Sequence, residues 1–499
     1  MAAQQIYEHH NGSGTTHPPQ IDTVTTTIGS SVSDLAKGAL RDTEVVAQPN
    51  TFSHGDPPDV IERVRYKYAS TYRKIFGGIF TINLAVLVTV MVVTKMNPAS
   101  WIVVSVASAN LMCCLLFRQE NVINLLYEFF TCAPHSWPLG LRKRLAKVYH
   151  YGGCHSGTGT AAVAWYFLYT ALVTRDFVKD PQTDVLVNMV TSWIVVVMFL
   201  LILTAAHPSL RRRYHDYFEM FHRFAGWTAL VSFWVQMAFA VQVRARQKGQ
   251  PVGIVLVTSP NFWFFCASTS CSLLSWSRLR RHAVYPEKLS DHATRLHFRY
   301  RPMQPFYGVK LSDAPLTEWH AFATIPVTTV IDDMADKDNK KITGFSIVVS
   351  NAGDWTSKQI ASTAAGRKLW IRGAPLHGVL YTSRLFRRIV VVATGSGIGP
   401  CLSLMFANQT PMRVLWSTRD PRKTYGEEVV ATVRRADPNA VIWNTTERGY
   451  PDIVAETYQL VKGSDAEAVF IISNPKVTEK VVMGMLVRGV AAYGAIFDS

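Results

Sequence analysis

Long apolar stretches separated by short polar segments dominate residues 61–285. A helix needs about 20 apolar residues to cross a bilayer, so the pattern predicts a six-span membrane domain. The six stretches are residues 76–96, 101–117, 148–173, 185–206, 224–243 and 252–276. Residues 122–130 predict an amphipathic helix along the membrane interface. Residues 1–60 contain few large apolar side chains and predict a disordered tail.

Short alternating strands replace the long apolar stretches in the second half. They predict a small β-barrel at residues 291–380. Four apolar strands with helix-like segments between them then predict a parallel α/β domain at residues 386–499. The predicted fold is therefore a multi-pass α-helical membrane bundle followed by a β-barrel and an α/β nucleotide-binding domain.

The chain carries 51 basic and 35 acidic residues, a formal net charge of +16. The basic residues lie in short clusters beside the apolar stretches, as membrane proteins place them on the cytoplasmic side. This distribution predicts cytoplasmic N- and C-termini, in the plasma membrane or an endomembrane, and no nucleic-acid partner. The seven cysteines contain no C-x-x-C pair, so neither a disulfide framework nor a zinc site is predicted.

A glycine-rich turn follows the β-branched run at residues 389–392. Gly395, Gly397 and Gly399 precede Pro400, which opens an apolar, helix-like segment. A strand, a glycine turn and a helix N-terminus together suit a dinucleotide pyrophosphate, because backbone N–H groups can approach it closely. The pattern alone fits an ordinary tight turn equally well, and the strand–helix rhythm that follows favours the nucleotide.

Three motifs in this order resemble the ferric reductase and NADPH oxidase superfamily. Residues 319–325 (WHAFATI) look like its H-P-F-T flavin motif, residues 353–356 (GDWT) like its G-D-W-T, and residues 394–400 (TGSGIGP) like its nucleotide turn. The C-terminal residues 494–499 (GAIFDS) look most like fungal transmembrane flavoproteins of the TmpA type. The resemblance covers about residues 70–499 and implies a ferredoxin-reductase-like module.

The resemblance implies an FAD site in the barrel. His320, Phe322 and Thr324 would line the flavin, and residues 372–378, with Gly373 and Gly378, would complete its pocket. A capped loop histidine is the alternative for His320. Ala321 and Ala323 replace the family's proline and threonine, which removes one expected flavin hydrogen bond.

The resemblance also implies a nicotinamide nucleotide. Arg419 and its basic neighbours favour the 2′-phosphate of NADPH over NADH, although a solvated basic turn is the alternative. Ser473 stands where the family has a cysteine near the nicotinamide, and Phe497 corresponds to its terminal aromatic residue. These two residues are the predicted catalytic pair flanking the hydride path.

A transmembrane haem pathway is not predicted. Two stacked haems need histidines about 13 or 14 residues apart on one helix, since that separation is about 20 Å at 1.5 Å per residue. Beyond His155 those positions hold Leu168 and Tyr169, and beyond His222 they hold Val235 and Gln236. His155 and His222 remain candidate ligands for one haem.

The leading hypothesis is an enzyme, a membrane flavoprotein that passes electrons from NAD(P)H through FAD to an unidentified acceptor. The acceptor is a small molecule, a quinone-like lipid or a partner protein, and the TmpA-type resemblance implies a role in fungal development or secondary metabolism. A haem-dependent ferric reductase or oxidase is one alternative. A membrane regulator that binds nucleotide or flavin without turnover is the other.

Overall fold

The computed structural model describes Val64 and residues 68–300, 302–326 and 344–495. The predicted N-terminal tail and Phe497 lie outside this part of the chain. Helices occupy its first section, as the apolar pattern predicts. They are α1 (Thr71–Val93), α2 (Ser100–Leu116), α3 (Glu120–Thr131), α4 (Leu139–Leu145), α5 (Gly152–Lys179), α6 (Thr183–Ala205), α7 (Pro208–Arg213), α8 (His215–Lys248), α9 (Val252–Val257) and α10 (Pro260–Ser277), with a 3₁₀ turn at Ala146–His150.

Three of the described helices, α1, α6 and α8, are long and apolar enough to cross a membrane. The count rises to four if α2 and α3, which meet at a 73° bend, form one broken span. The sixth predicted span divides into α9 and α10 because Pro260, in the first turn of α10, cannot continue a helix. The sequence pattern therefore overestimated the number of long apolar helices.

Helix α3 packs against the second half of the chain. Ile123 and Tyr127 are each 2% exposed and belong to the same hydrophobic core as Ile389 and Tyr493. The Asn124 side chain donates to Pro375 O at 2.8 Å and accepts from the His377 backbone N–H at 3.0 Å. The predicted interfacial helix is thus a structural part of the second half.

Seven antiparallel strands follow, in the order β4-β3-β7-β1-β2-β6-β5. They are β1 (Arg280–Lys288), β2 (Ala293–Arg299), β3 (Tyr307–Ser312), β4 (His320–Ala323), β5 (Ile325–Pro326), β6 (Gly344–Ser350) and β7 (Arg367–His377), with α11 (Asp354–Ala361) before β7. The edge strands β4 and β5 are separated only by Thr324. The sheet must therefore curl until its two edges meet, which gives a barrel around a core that includes Leu296, Phe345 and Leu369.

A 3₁₀ turn at Val379–Leu385 leads to a five-stranded parallel sheet of order β10-β9-β8-β11-β12. Its elements are β8 (Ile389–Thr394), a 3₁₀ turn at Gly395–Gly397, α12 (Ile398–Ala407), β9 (Met412–Thr418), α13 (Pro421–Tyr425), α14 (Glu427–Ala436), β10 (Val441–Asn444), α15 (Thr445–Arg448), α16 (Ile453–Ser464), β11 (Ala468–Ile472), α17 (Pro475–Val487) and β12 (Ala491–Gly494). The chain order reverses between β8 and β11. Open parallel sheets bind ligands at such a reversal, outside the carboxyl ends of the strands.

Candidate functional site

The glycine turn lies at the point where the strand order reverses. Gly395 adopts a φ of +49°, in the left-handed region that favours glycine. A Cβ on Gly397 would lie 2.1 Å from Ile472 O, at the end of β11. The turn can therefore approach the neighbouring strand only because residue 397 has no side chain.

Ser473 and Thr394 meet beside the glycine turn, at the bottom of the crevice outside the carboxyl ends of β8 and β11. Each residue stands at the carboxyl end of a central strand, and their hydroxyl oxygens lie 2.5 Å apart. Ser473 is 5% exposed. The predicted catalytic serine thus reaches the nucleotide turn by contacts that the sequence did not show, whereas its predicted partner Phe497 lies outside the described residues.

The start of α12 packs against the barrel. A Cβ on Gly399 would be 3.6 Å from Val348 Cβ in β6, and Pro400 follows in the same helical turn. Ser403 in α12 accepts a hydrogen bond from the Phe306 backbone N–H at 2.7 Å. The crevice at the carboxyl edge of the parallel sheet and the barrel are therefore adjacent surfaces of one structural unit.

In the turn after β9, the acidic residue Asp420 is hydrogen-bonded to neighbouring side chains, whereas the basic residue Arg419 is exposed. Asn444 Nδ2 donates to Asp420 Oδ1 at 3.3 Å, and Thr446 Oγ1 donates to Asp420 Oδ2 at 3.2 Å. Both oxygens of the Asp420 carboxylate are thereby engaged by the loop after β10. Arg419 is exposed and close enough to His292 to lower that residue's pKa, an effect second to burial.

The predicted flavin residues face the barrel interior. The His320 ring stacks on Trp355 with centroids 4.2 Å apart, and Phe322 lies 5.7 Å from the same indole. Trp355 belongs to the barrel core, as do Val309 and Leu311, the cross-strand partners of Phe322 and His320. Thr324 is fully buried and its hydroxyl donates to Tyr307 O at 2.9 Å. These three side chains hold the barrel together.

Gly373 and Gly378 have different surroundings. Gly373 has a φ of +74°, and a Cβ there would lie 2.3 Å from Glu120 Oε1 of α3. Its role is to admit the Glu120 carboxylate to the barrel wall. Gly378 is exposed, and no heavy atom of the described residues lies within 4 Å of its Cβ position.

An aromatic stack beside Gly378 was missed by the sequence analysis. The His377 ring lies between Tyr381, at 3.7 Å, and Tyr307, at 4.5 Å, in nearly parallel planes. Burial, assisted by Arg384, lowers the pKa of His377 to about 4. The ring is therefore neutral at pH 7. Tyr381 follows His377 by four residues, but Tyr307 comes from β3, so no local motif could have revealed the complete stack.

His155 and His222 lie near each other, with ring centroids 6.3 Å apart. His155 Nδ1 donates to Cys114 O at 2.9 Å. Among the described residues, no group of three or more His, Cys, Asp or Glu side chains is placed to hold a metal ion.

Comparison with solved structures gives low similarity. A flavohemoglobin from Malassezia yamatoensis with bound FAD and heme is 13% identical, with a TM-score of 0.39, over 78% of this chain and 98% of the other. A ferredoxin-NADP+ reductase from Plasmodium falciparum is 10% identical, with a TM-score of 0.32, over 45% of this chain and 98% of the other.

Sequence comparison gives much stronger matches. The family model described as "Adenylate-forming reductase 03009, C-terminal domain" matches residues 379–499. Two Coprinopsis cinerea proteins, adenylate-forming reductases 03009 and 06235, are 43% and 42% identical over 88% of this chain. The chain spans 41% of the length of each.

These matches correct the family and the function inferred from the motifs. They point to fungal adenylate-forming reductases, so the assignment to the ferric reductase and NADPH oxidase superfamily, with its TmpA-type placement, is wrong. The membrane electron-transfer flavoprotein and its haem-dependent and non-catalytic alternatives are corrected by the same finding. What the comparisons support is an enzyme of the reductase class.

Proposed function

We propose that this chain is a reductase that binds a nicotinamide dinucleotide at the carboxyl edge of its parallel sheet. One observation carries the proposal. The strand order reverses between β8 and β11, and at that point the glycine turn, with Gly395 in the left-handed region, leads into the N-terminus of α12 beside the partly buried Thr394–Ser473 pair. The Ser473 hydroxyl would then orient the nicotinamide ring.

We propose NADPH as the preferred nucleotide. A carboxylate after the second strand favours NADH when it can accept a hydrogen bond from the ribose. Here Asn444 and Thr446 already engage the Asp420 carboxylate. The exposed Arg419 guanidinium is left beside the ribose position, and guanidinium groups pair well with phosphate.

FAD is the second proposed cofactor, held between the barrel and the crevice. The fit differs from the motif-based prediction, because His320, Phe322 and Thr324 pack inside the barrel. The exposed surface near Gly378 and the contact between Gly399 and Val348 support a site on the outer side. When bound there, a flavin would accept hydride from the nicotinamide.

The names of the relatives join the formation of an adenylate to a reduction. We assign the reduction to this chain, because its crevice has the features of a dinucleotide site. The reducible substrate would be a compound activated as an adenylate.

Membrane attachment is proposed through the helical section. All residues of α1 are at least partly exposed, and an 18-residue window within the helix has a mean hydropathy of 2.3. An apolar helix without a protein cover is stable in a bilayer. Retention of the chain in the membrane pellet after alkaline carbonate washing is expected, and its release would contradict this placement.

Direct binding tests the nucleotide proposal. Purified full-length protein is titrated with NADPH and NADH by calorimetry, alongside Arg419→Gln and, as a control on an equally exposed basic side chain, Lys368→Gln. We expect NADPH to bind more tightly than NADH and Arg419→Gln to remove most of that difference. Absence of binding by either nucleotide would overturn the proposal.

A further inference from the structure

The outer face of the barrel carries like charges on neighbouring strands. Lys310 in β3 pairs in register with Ala321 in β4 on one side and with Arg372 in β7 on the other. Residues directly opposite in antiparallel strands point to the same face, with Cβ atoms about 5 Å apart. Two cations placed in this way repel each other, so the arrangement costs stability unless an anion lies between them.

More basic than acidic side chains lie near this face of the barrel. Arg118, at the bend between α2 and α3, and Arg372 both lower the pKa of Lys310, although burial is the larger cause, and the value falls to about 8. Arg223 of α8 has the same effect on Arg372, after burial. Glu120 and Glu219 are the acids that act on both residues, which leaves an excess of two positive charges.

The two acids are already engaged. Glu120 accepts from the Ser275 hydroxyl at 2.5 Å, and Glu219 lies 3.5 Å from both His215 and Arg223. Lys310 forms no ion pair within 4.0 Å with an acid of the described ranges. Its charge is therefore available to a ligand.

Arg372 packs against two aromatic rings while one of its polar atoms has no hydrogen-bond partner in the described part of the chain. Its guanidinium carbon lies 4.9 Å from the Trp276 ring and 4.7 Å from the Trp319 ring. Arg372 Nε is buried and has no hydrogen-bond partner in the described part of the chain. A guanidinium packed against two mutually perpendicular indoles loses little further freedom when it binds an anion.

We propose that Lys310, Arg372 and Arg118 form a diphosphate-binding site at the boundary between the barrel and the helices. Access is through Ala321 and Arg118, which are exposed, while Lys310 and Arg372 are half-buried. The site rests on the proposed function in one respect, since a flavin dinucleotide is the proposed carrier of the diphosphate. The chemistry of the site requires only the diphosphate itself.

The test measures ligand binding by full-length protein in detergent after flavin removal. FAD and riboflavin, which lacks phosphate, are titrated by flavin fluorescence, and inorganic diphosphate is the competitor. Saturating NADP+, which cannot reduce the flavin, is present in one series so that the crevice is blocked. The variants are Lys310→Gln and Ala321→Glu, which adds a negative charge at an exposed position, with Lys368→Gln as the control.

We expect Lys310→Gln to weaken FAD binding by about 10- to 100-fold, the range for one charge-assisted hydrogen bond. Riboflavin affinity should be unchanged, and Lys368→Gln should stay within about twofold, because exposed charges contribute little. Ala321→Glu should abolish competition by diphosphate without removing any packed side chain. It therefore decides the question even if the Lys310 variant fails to fold.

The possible results separate the source of the ligand from the existence of the site. If diphosphate binding depends on Lys310 but FAD affinity does not, the site stands and another diphosphate-bearing ligand occupies it. Equal FAD and diphosphate affinities in Lys310→Gln and Lys368→Gln, with no effect of Ala321→Glu, would overturn the proposal. Loss of NADPH binding alone would remove the proposed function and leave this site untouched.

Discussion

Substitution of Gly397 by alanine is the most direct perturbation of the dinucleotide crevice. The backbone at Gly397 has a φ of −58° and a ψ of −14°, which any L-residue adopts. Alanine therefore introduces no backbone strain. Its cost comes entirely from the new Cβ, which would lie 2.1 Å from Ile472 O and 2.9 Å from Ile472 C.

The size of the effect follows from these two distances. An ordinary Cβ contact is more than 1 Å longer than the 2.1 Å distance to Ile472 O. The atoms that would have to move are backbone atoms of β11, a central strand. Overpacking costs about 1–3 kcal/mol in general, and the rigid partner places this case near the upper end. The displacement also spreads Thr394 from Ser473, so NADPH affinity should fall together with stability.

Gly463→Ala is the matched control. Gly463 lies in α16, is exposed, and has no described atom within 4 Å of its Cβ position. Alanine there should stabilise the protein by about 0.5–1 kcal/mol, because it reduces the entropy of the unfolded chain. Both variants are compared by urea unfolding and by NADPH titration. Equal unfolding free energies and equal affinities for the two variants would refute the steric account of the crevice.

Two further predictions follow from other contacts. Glu467→Gln should lower the free energy of unfolding by about 3–5 kcal/mol at pH 7, because it leaves the 3%-exposed Arg142 side chain without its acid at 2.7 Å. Arg142 lowers the pKa of Glu467 in the folded protein. The stability that the ion pair contributes is therefore present above the ordinary carboxyl pKa of about 4.3 and is lost as pH falls through the lower pKa of the folded state. Urea unfolding at pH 7 and pH 3 should therefore show a difference between wild type and variant that shrinks on acidification, and a difference independent of pH would contradict the assignment. Asn444→Ala should free one oxygen of the Asp420 carboxylate and reduce the ratio of NADPH to NADH affinity several-fold, measured by calorimetry. Asn439→Ala, at an exposed asparagine before β10, should leave the ratio unchanged.

The elements of the parallel sheet were predictable because their signals are local. The β-branched run before Gly395 ends in a strand at Thr394, as the sequence pattern indicates. A strand, a turn and a helix each depend on a few consecutive residues. The same locality explains why the glycine turn could be recognised before its contact with Ile472 O was known.

The sequence alone could not predict which face of the barrel wall the side chains of residues 320–323 occupy. Successive strand residues point to opposite faces, so His320 and Phe322 occupy one face of β4 while Ala321 and Ala323 occupy the other. Which face is inside depends on the pairing of β4 with β3, where Val309 and Leu311 are buried in the core. The motif identified the strand, whereas the face that each of its side chains occupies follows from the pairing of β4 with β3.

The helical section contributes to the second half of the chain more than a membrane anchor would. Arg142 of α4 binds Glu467 in two hydrogen bonds and donates to Leu385 O at 2.6 Å. Ile123 and Tyr127 of α3 belong to the main hydrophobic core, where the Tyr127 ring packs edge-on against His377 and Tyr381. The second half is therefore built partly from residues that precede their contact partners by more than 200 positions.

A fragment cut at the predicted boundary, residues 286–499, should consequently fail to unfold cooperatively. It lacks most of β1, the central strand of the barrel sheet, and it exposes the surfaces that Ile123 and Tyr127 cover. A second fragment from residue 278 restores β1 and isolates the effect of α3 and α4. Co-expression of residues 118–151 with this longer fragment should recover solubility and a cooperative urea transition. If the fragment from residue 278 alone unfolded with the same midpoint as the full chain, the helical section would be only an attachment, and the buried Arg142–Glu467 pair would have no structural role.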